Sequence, residues 1–424
     1  MNGTNAIMVK NGLVVEPVSK TQEIRNVKIK NGKITSDSLD GAREFDAEGL
    51  IVMPGWIDLH THTRDPGFTH KEDLDSASKA AIAGGYATIV AMPNTKPVVD
   101  NPSVVDFVLQ KSKNLEANVF CTAAITLGQT GEELVDFMAL KNAGAVYFTD
   151  DGNPVQDAKV MRNALAEAKK AGVLLAQHCE DRNAIRGCAC MGEGAAAKLG
   201  FKGFPREAEF NCVERDLQMV EELGAREHFL HMSLKESVDA IAKAKAKGLQ
   251  VTAEATPHHF ALTEGDLLEK AANAKMNPPL RDEKDARAVR EGLKSGVFDV
   301  IGTDHAPHTA EEKAGGWEKA PNGIVGLETA VALCITHLVE TKTLSWLQLA
   351  EKTSLNPAKL INCETKGSLK PGFDADVTII DPELEWTVDA SKFKSKSKNT
   401  PWDGVTLKGK AVAVIAKGIL YELR

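Results

Sequence analysis

Side chains of the kinds that hold metal ions recur in one setting in this 424-residue chain, at the end of a short apolar run. His60 and His62 stand two residues apart in Asp58-Leu-His60-Thr-His62-Thr-Arg64. Alternate side chains of an extended strand share a face, so both imidazoles can reach one cation. Four further runs close on Phe148-Thr-Asp150-Asp151-Gly152, His178-Cys179-Glu180, His231-Met-Ser233 and Gly302-Thr-Asp304-His305-Ala-Pro307-His308. Each residue has a plainer reading: a lone buried histidine is usually a hydrogen-bonded core residue, and an aspartate after a strand often caps a helix. Repetition weakens that reading. Five runs bring imidazole nitrogens and carboxylate oxygens to one kind of place, and that is the donor mixture zinc takes.

The elements that must position these residues follow from hydrophobic pattern. Apolar runs at 51–59, 87–93, 118–126, 145–149, 173–177, 228–232, 249–255 and 298–303 alternate with helical stretches such as 157–171, the signature of βα units and a parallel sheet. Eight such strands predict an α/β fold, a closed (β/α)8 TIM barrel, and a barrel carries its chemistry at the C-terminal ends of its strands. Both chain ends differ in texture. Residues 6–52 show β-branched runs broken by Asn11-Gly12, Asn31-Gly32 and Glu48-Gly49, read as hairpin turns, and similar runs return at 374–381, 405–408 and 411–421. Neither end suffices for an independent β-domain, so the expectation is one small β-sandwich from residues 1–52 plus 366–424 beside a catalytic barrel of residues 53–365.

Composition narrows the function classes. A net charge of −8 disfavours nucleic acid or an anionic membrane as partner, since those need clustered Lys and Arg. The one basic stretch, 392–398, reads as a solvated loop. No apolar run approaches the roughly 20 residues of a membrane span, and the first residues lack a signal-peptide pattern, so a cytoplasmic location is expected. Seven cysteines without a repeating framework fit reduced thiols, and Cys188-Ala-Cys190 lacks the second ligand pair of a structural zinc site.

Taken with Val52-Met-Pro-Gly-Trp-Ile-Asp-Leu-His-Thr-His62, the segments Arg64-Asp-Pro-Gly67, Met92-Pro-Asn94, Thr149-Asp-Asp-Gly152, His178-Cys-Glu-Asp181, Glu254-Ala-Thr-Pro-His-His259, Asn277-Pro-Pro-Leu-Arg281 and Gly302-Thr-Asp-His-Ala-Pro-His308 make the chain resemble the amidohydrolase superfamily. Within it the resemblance is to the cyclic amidohydrolases, most closely the long bacterial dihydroorotases, and it runs to Ala375-Asp376. It implies a metal-dependent hydrolase that opens (S)-dihydroorotate reversibly to N-carbamoyl-L-aspartate in pyrimidine biosynthesis. The implied cofactors are two divalent ions, zinc by preference. His60, His62 and Asp304 would bind the first and His178 and His231 the second, with Asp151 as bridge and Asp150 in a supporting or loop-capping role. Hydantoinase-like relatives use a carboxylated lysine as bridge; the segment 145–152 holds no lysine and two aspartates, which sets dihydropyrimidinases and allantoinases second.

The same resemblance makes Asp304 the proton shuttle and assigns Arg64 and Asn94 to the substrate carboxylate. His62, Asn277, His308, Asn322 and Gly323 join the substrate contacts, while His258 and His259 stay outside the catalytic set. Three departures from the family pattern, at Thr63, Asp65 and Asn322, touch pocket packing and the loop around 314–316, whose glycines would permit a lid to move. A homodimer and association with aspartate transcarbamoylase are the implied protein partners. The reading from another class is a non-catalytic scaffold for that transcarbamoylase, against which stands retention of all six ligands.

Overall fold

The β-branched runs of the two chain ends pair with each other. In the computed structural model, which describes residues 6–423, β1 (Ala6–Glu16), β2 (Thr21–Lys30), β3 (Lys33–Thr35), β4 (Arg43–Asp46) and β5 (Ile51–Pro54) join the late strands β14 (Val377–Thr387), β15 (Thr406–Ala416) and β16 (Ile419–Glu422). They form one continuous mixed sheet in the order β16-β15-β14-β5-β1-β2-β3, with β4 beside β1. Val9, Ile29, Val52, Val377, Ile379 and Ile415 pack into a core of their own between these strands.

Asn31 and Gly32, both at positive φ, make the tight turn between β2 and β3 that their sequence predicts. Asn11-Gly12 does not: β1 runs straight through it, and the register with β2 slips between Val9 and Gly12. The reason is a change of partner. Residues 7–10 pair with β4 and residues 13–14 with β5, so the pair makes a bulge at the junction. A Cβ on Gly12 would lie 2.4 Å from Val52 Cγ2.

The second sheet is the barrel: β6 (Trp56–Thr61), β7 (Tyr86–Ala91), β8 (Asn118–Ala123), β9 (Ala145–Thr149), β10 (Leu175–Gln177), β11 (Arg226–Phe229), β12 (Gln250–Ala255) and β13 (Val300–Ile301), parallel and in sequence order. A parallel bridge from Thr61 to His305 links its ends, and the Asp58 carboxylate reinforces it by accepting from the Thr303 amide (2.8 Å) and hydroxyl (2.7 Å). Across the interior the Tyr147 hydroxyl donates to the Leu59 carbonyl (2.5 Å), among Ile57, Val90, Met92 and Leu230.

The run 51–59 is two strands rather than one. Residues 51–54 belong to the terminal sheet, and Gly55 lets the chain cross to the barrel, where a Cβ would meet Ala87 Cβ at 2.7 Å and Asp376 Cβ at 2.8 Å. Helices cover the ring as their apolar spacing predicts. The helix Ala158–Ala171 is capped by Asp157, which accepts from the Lys159 and Val160 amides, and it buries Met161, Ala164, Leu165 and Ala168. Among the described residues no helix is long and apolar enough to cross a membrane.

The basic stretch 392–398 is not a solvated loop. From Phe393 to Asn399 burial alternates, with Ser395, Ser397 and Asn399 inward and Lys394, Lys396 and Lys398 outward. The lysine-rich composition hides a period of two, and the segment lies as a strap across the barrel face.

Candidate metal centre and substrate cavity

The strand ends bring the six candidate ligands together in two groups that share Asp151. His60, His62 and Asp151 form one group and Asp151, His178 and His231 the other, all buried. Asp151 Oδ2 lies 3.6 Å from His60 Nε2 and 3.4 Å from His62 Nε2, while its Oδ1 lies 3.5 Å from His178 Nδ1 and 3.3 Å from His231 Nε2. Asp304 closes the first group, its Oδ1 being 3.5 Å from His60 Nε2 and 3.1 Å from His62 Nε2.

These spacings suit a cation better than direct hydrogen bonds. Donors about 2.1 Å from a tetrahedral ion stand about 3.4 Å from one another, near most of the observed values. His60 Nε2 is fully buried with no hydrogen-bond partner, so the residues present fit divalent metal ions.

The supporting contacts fix which nitrogen faces the centre. His60 Nδ1 lies 2.9 Å from Glu254 Oε1, so Nε2 points inward; His62 Nδ1 lies 2.8 Å from Asn94 Oδ1, with the same result. Glu254 also accepts from the His231 amide at 3.2 Å. One carboxylate, wholly buried, thereby ties the two groups together. Its role went unassigned from sequence, yet a signal was there, since a lone glutamate within the apolar run of β12 must be paired if buried. Gly302 makes room for it: a Cβ there would sit 2.2 Å from Glu254 Oε2.

Asp150 turns away from the centre, its Oδ1 accepting from the Ile125 (2.8 Å) and Thr126 (3.2 Å) amides, and burial raises its pKa to about 6. Arg64, His231 and Asp304 all hold positive φ, at 58°, 33° and 47°. Such backbone is costly for residues with a Cβ and clusters at functional sites.

The electrostatics are those of a site built for positive charge. Burial opposes the charge on Asp151, but His60, His178 and His231 hold its carboxyl well below the usual range. Burial also opposes protonation of His178, yet Asp151 and Glu180 push it up to about 10, and Glu254, Asp151 and Asp304 raise His60 well above its ordinary value. The field that draws protons onto these rings draws metal cations equally.

Beside the cluster lies a cavity of about 260 Å³. Its walls include His62, Asp151, His178, His231 and Asp304, and also Arg64, Asn94, Asn277, His308, Asn322 and Gly323. Of the predicted site residues only His60 stays behind this surface. The volume suits one small ring compound rather than a polymer. Arg64 donates from Nε to the Pro307 carbonyl (3.2 Å), and burial lowers its pKa only to about 10, leaving it cationic at neutral pH. Asn94 uses Oδ1 on His62, which leaves Nδ2 for a ligand.

Asn277 donates to Glu180 Oε2 (2.6 Å), and His308 Nε2 lies 2.9 Å from the Asn322 carbonyl. His259 lies between the Thr256 hydroxyl (2.7 Å) and the Pro278 carbonyl (2.9 Å), and buried Arg281 donates to the Phe204 carbonyl (2.9 Å). Both secure the segment bearing Asn277. Asp65 is buried and accepts from Lys111 Nζ (2.6 Å), away from the cavity.

Comparison with known proteins accords with this geometry. A family model described as dihydro-orotase-like matches residues 49–237. Dihydroorotase of Pelotomaculum thermopropionicum is 46% identical over 417 residues, 97% of each chain, and that of Clostridioides difficile is 46% identical over 422 residues, 98% of this chain and 100% of the other. Dihydroorotase of Aquifex aeolicus is 43% identical over 417 residues, 97% of this chain and 98% of the other. Among solved structures, L-hydantoinase (dihydropyrimidinase) from Arthrobacter aurescens matches with a TM-score of 0.87 at 28% identity, covering 98% of this chain and 95% of its own.

Proposed function

The chain belongs to the dihydroorotase family, and from that premise we propose that it hydrolyses (S)-dihydroorotate reversibly to N-carbamoyl-L-aspartate. The observation that carries the reading is the division of Asp151, one oxygen toward His60 and His62 and the other toward His178 and His231, beside a cavity that also presents Arg64. His60, His62 and Asp304 would hold one ion, His178 and His231 the other, with Asp151 between them; the donor mixture favours zinc. Such ions, when bound, supply a water of lowered pKa and polarise the ring carbonyl.

The remaining chemistry belongs to side chains. Asp304 takes the proton from the attacking water and returns it to the ring nitrogen as the C–N bond breaks; in ring closure it removes the proton from the carbamoyl nitrogen. Its Oδ2 takes no hydrogen bond from the described protein residues, which suits a group that must change partners. Arg64 and the Asn94 Nδ2 hold the substrate carboxylate, where a planar guanidinium suits a bidentate grip. Asn277, His308 and the Asn322-Gly323 backbone border the ring.

A hydantoinase-like activity on another cyclic ureide is the second reading, favoured by the likeness to L-hydantoinase. Against it, no lysine lines the cavity. The same proposal divides the chain into a barrel and a composite β-domain from both chain ends, expected at 53–365 and 1–52 plus 366–424, with the first boundary moved to Gly55 because Met53 and Pro54 pair with β14 in the terminal sheet. It also includes a cytoplasmic homodimer that associates with aspartate transcarbamoylase, which co-sedimentation tests. Metal-loaded protein should turn over dihydroorotate and neglect hydantoin, dihydrouracil and allantoin. Turnover of the latter without dihydroorotate reverses the ranking, and a metal-loaded but inert protein favours a scaffold.

A further inference from the structure

The strap 393–399 comes from the far end of the chain, yet its last residue reaches the wall of the substrate cavity. Asn399 is 4% exposed. Its Nδ2 donates to the Ala306 carbonyl (3.1 Å) and the Gly323 carbonyl (3.1 Å), and its Oδ1 accepts from the His308 amide (3.1 Å). Its own carbonyl accepts from the Val325 amide (3.0 Å). One side chain therefore fastens two segments to each other: residues 304–308, which carry Asp304 and His308, and residues 322–325, which carry Asn322 and Gly323.

The rest of the strap anchors that clamp. Ser395 donates to Glu72 Oε2, the Lys396 amide donates to Glu72 Oε1 (3.2 Å), and Glu72 Oε2 lies 3.3 Å from His305 Nε2, next to Asp304. From the other side Lys313 Nζ donates to the carbonyls of Pro321 (3.0 Å) and Gly323 (2.9 Å). The Pro307 carbonyl, in the same peptide group as the His308 amide, receives Arg64 Nε. Asn399 itself does not line the substrate cavity.

We propose that Asn399 is a positioning residue for substrate binding: it sets the distance between the 304–308 and 322–325 segments, and through Pro307 and His308 the aim of Arg64. This rests on the reading of the cavity as the site of cyclic-amide hydrolysis. A buried amide that satisfies three backbone groups at once has no isosteric replacement that keeps them all. Without it the wall loosens while His60 and His231, held by Glu254, and His62, held by Asn94, keep their supports; Asn399 bonds Ala306 and His308 rather than Asp304 itself. Binding therefore suffers more than chemistry.

The test is steady-state kinetics of the full chain carrying Asn399→Ala and, separately, Asn399→Ser, with metal content and melting temperature measured alongside. The substrate is dihydroorotate or whichever cyclic amide the unmodified protein hydrolyses best, so that failure on dihydroorotate counts against the earlier reading alone. The expected result is a KM raised roughly tenfold or more with kcat within about threefold and full metal content. Amide exchange at His308 and Val325 in the Asn399→Ser protein should quicken while that of the β6 to β9 strands does not, a readout available even if the alanine variant fails to fold. Unchanged KM in folded, metal-loaded protein overturns the proposal. So does a loss of kcat and metal with KM intact, which would mark Asn399 as a support of the centre instead.

Discussion

Removing the charge of Glu254 should weaken metal binding without unfolding the barrel. Its Oε1 accepts from His60 Nδ1 at 2.9 Å and from the His231 amide at 3.2 Å, so it serves one candidate ligand of each group. Glu254→Gln keeps the shape and an acceptor, but it withdraws the anion that makes His60 a strong base. Losing such an outer partner typically lowers metal affinity tenfold to a hundredfold, about 1.4 to 2.7 kcal/mol. Glu254→Ala goes further, leaving a buried imidazole N–H and a backbone N–H unsatisfied at about 1 to 3 kcal/mol each.

Gly302→Ala approaches from β13's side and should act in the same direction, because its Cβ would stand 2.2 Å from Glu254 Oε2 and force the carboxylate aside. The assay is competition for zinc against a chromogenic chelator, with thermal melts with and without metal to verify the fold. Glu254→Gln and Gly302→Ala curves superimposable on that of the unmodified protein would refute the claim that Glu254 tunes the centre.

Three further outcomes follow from the same structure. Asp304→Asn should reduce turnover by roughly a thousandfold while the melting temperature of the apo protein changes little, since the amide keeps the shape but cannot shuttle a proton; near-normal turnover would remove Asp304 from that role. Arg64→Met should raise KM for dihydroorotate roughly 10- to 100-fold, the loss expected for charged hydrogen bonds to a carboxylate, with a smaller effect on kcat; an unchanged KM would put the carboxylate elsewhere. Burial raises Glu328 to about 7 although the Lys394 and Ser395 amides donate to it. The folded state thus binds its proton more tightly than the unfolded state, and this contribution to stability is present below about pH 4.5 and lost as pH rises through 7. Glu328→Gln should gain in melting temperature relative to the unmodified protein between pH 5 and 8, and a pH-independent difference would contradict the assignment.

Much of the centre was legible because strand periodicity is local. His60 and His62 share a face for that reason, and each of the other candidate ligands follows a strand whose apolar run can be read directly. Partner exchange between sheets is not local. Residues 51–59 form a single apolar run, and only the contact of Gly55 with Ala87 and Asp376 requires the break. Asn11-Gly12 carries the composition of a turn, but β4 and β5 both compete for β1 there, so it becomes a bulge. The strap at 392–398 misled through composition, its lysines masking inward-facing serines and Asn399. Glu254 lay inside a quoted motif, yet its function depends on reaching His60, 194 positions earlier in the chain.

The most direct test of the central claim is anomalous diffraction at the zinc edge from crystals of the metal-loaded protein. Two peaks on opposite sides of the Asp151 carboxylate, one beside His60 and His62 and the other beside His178 and His231, are expected. A single peak remote from Asp151, or none in protein that still turns over dihydroorotate, would contradict it.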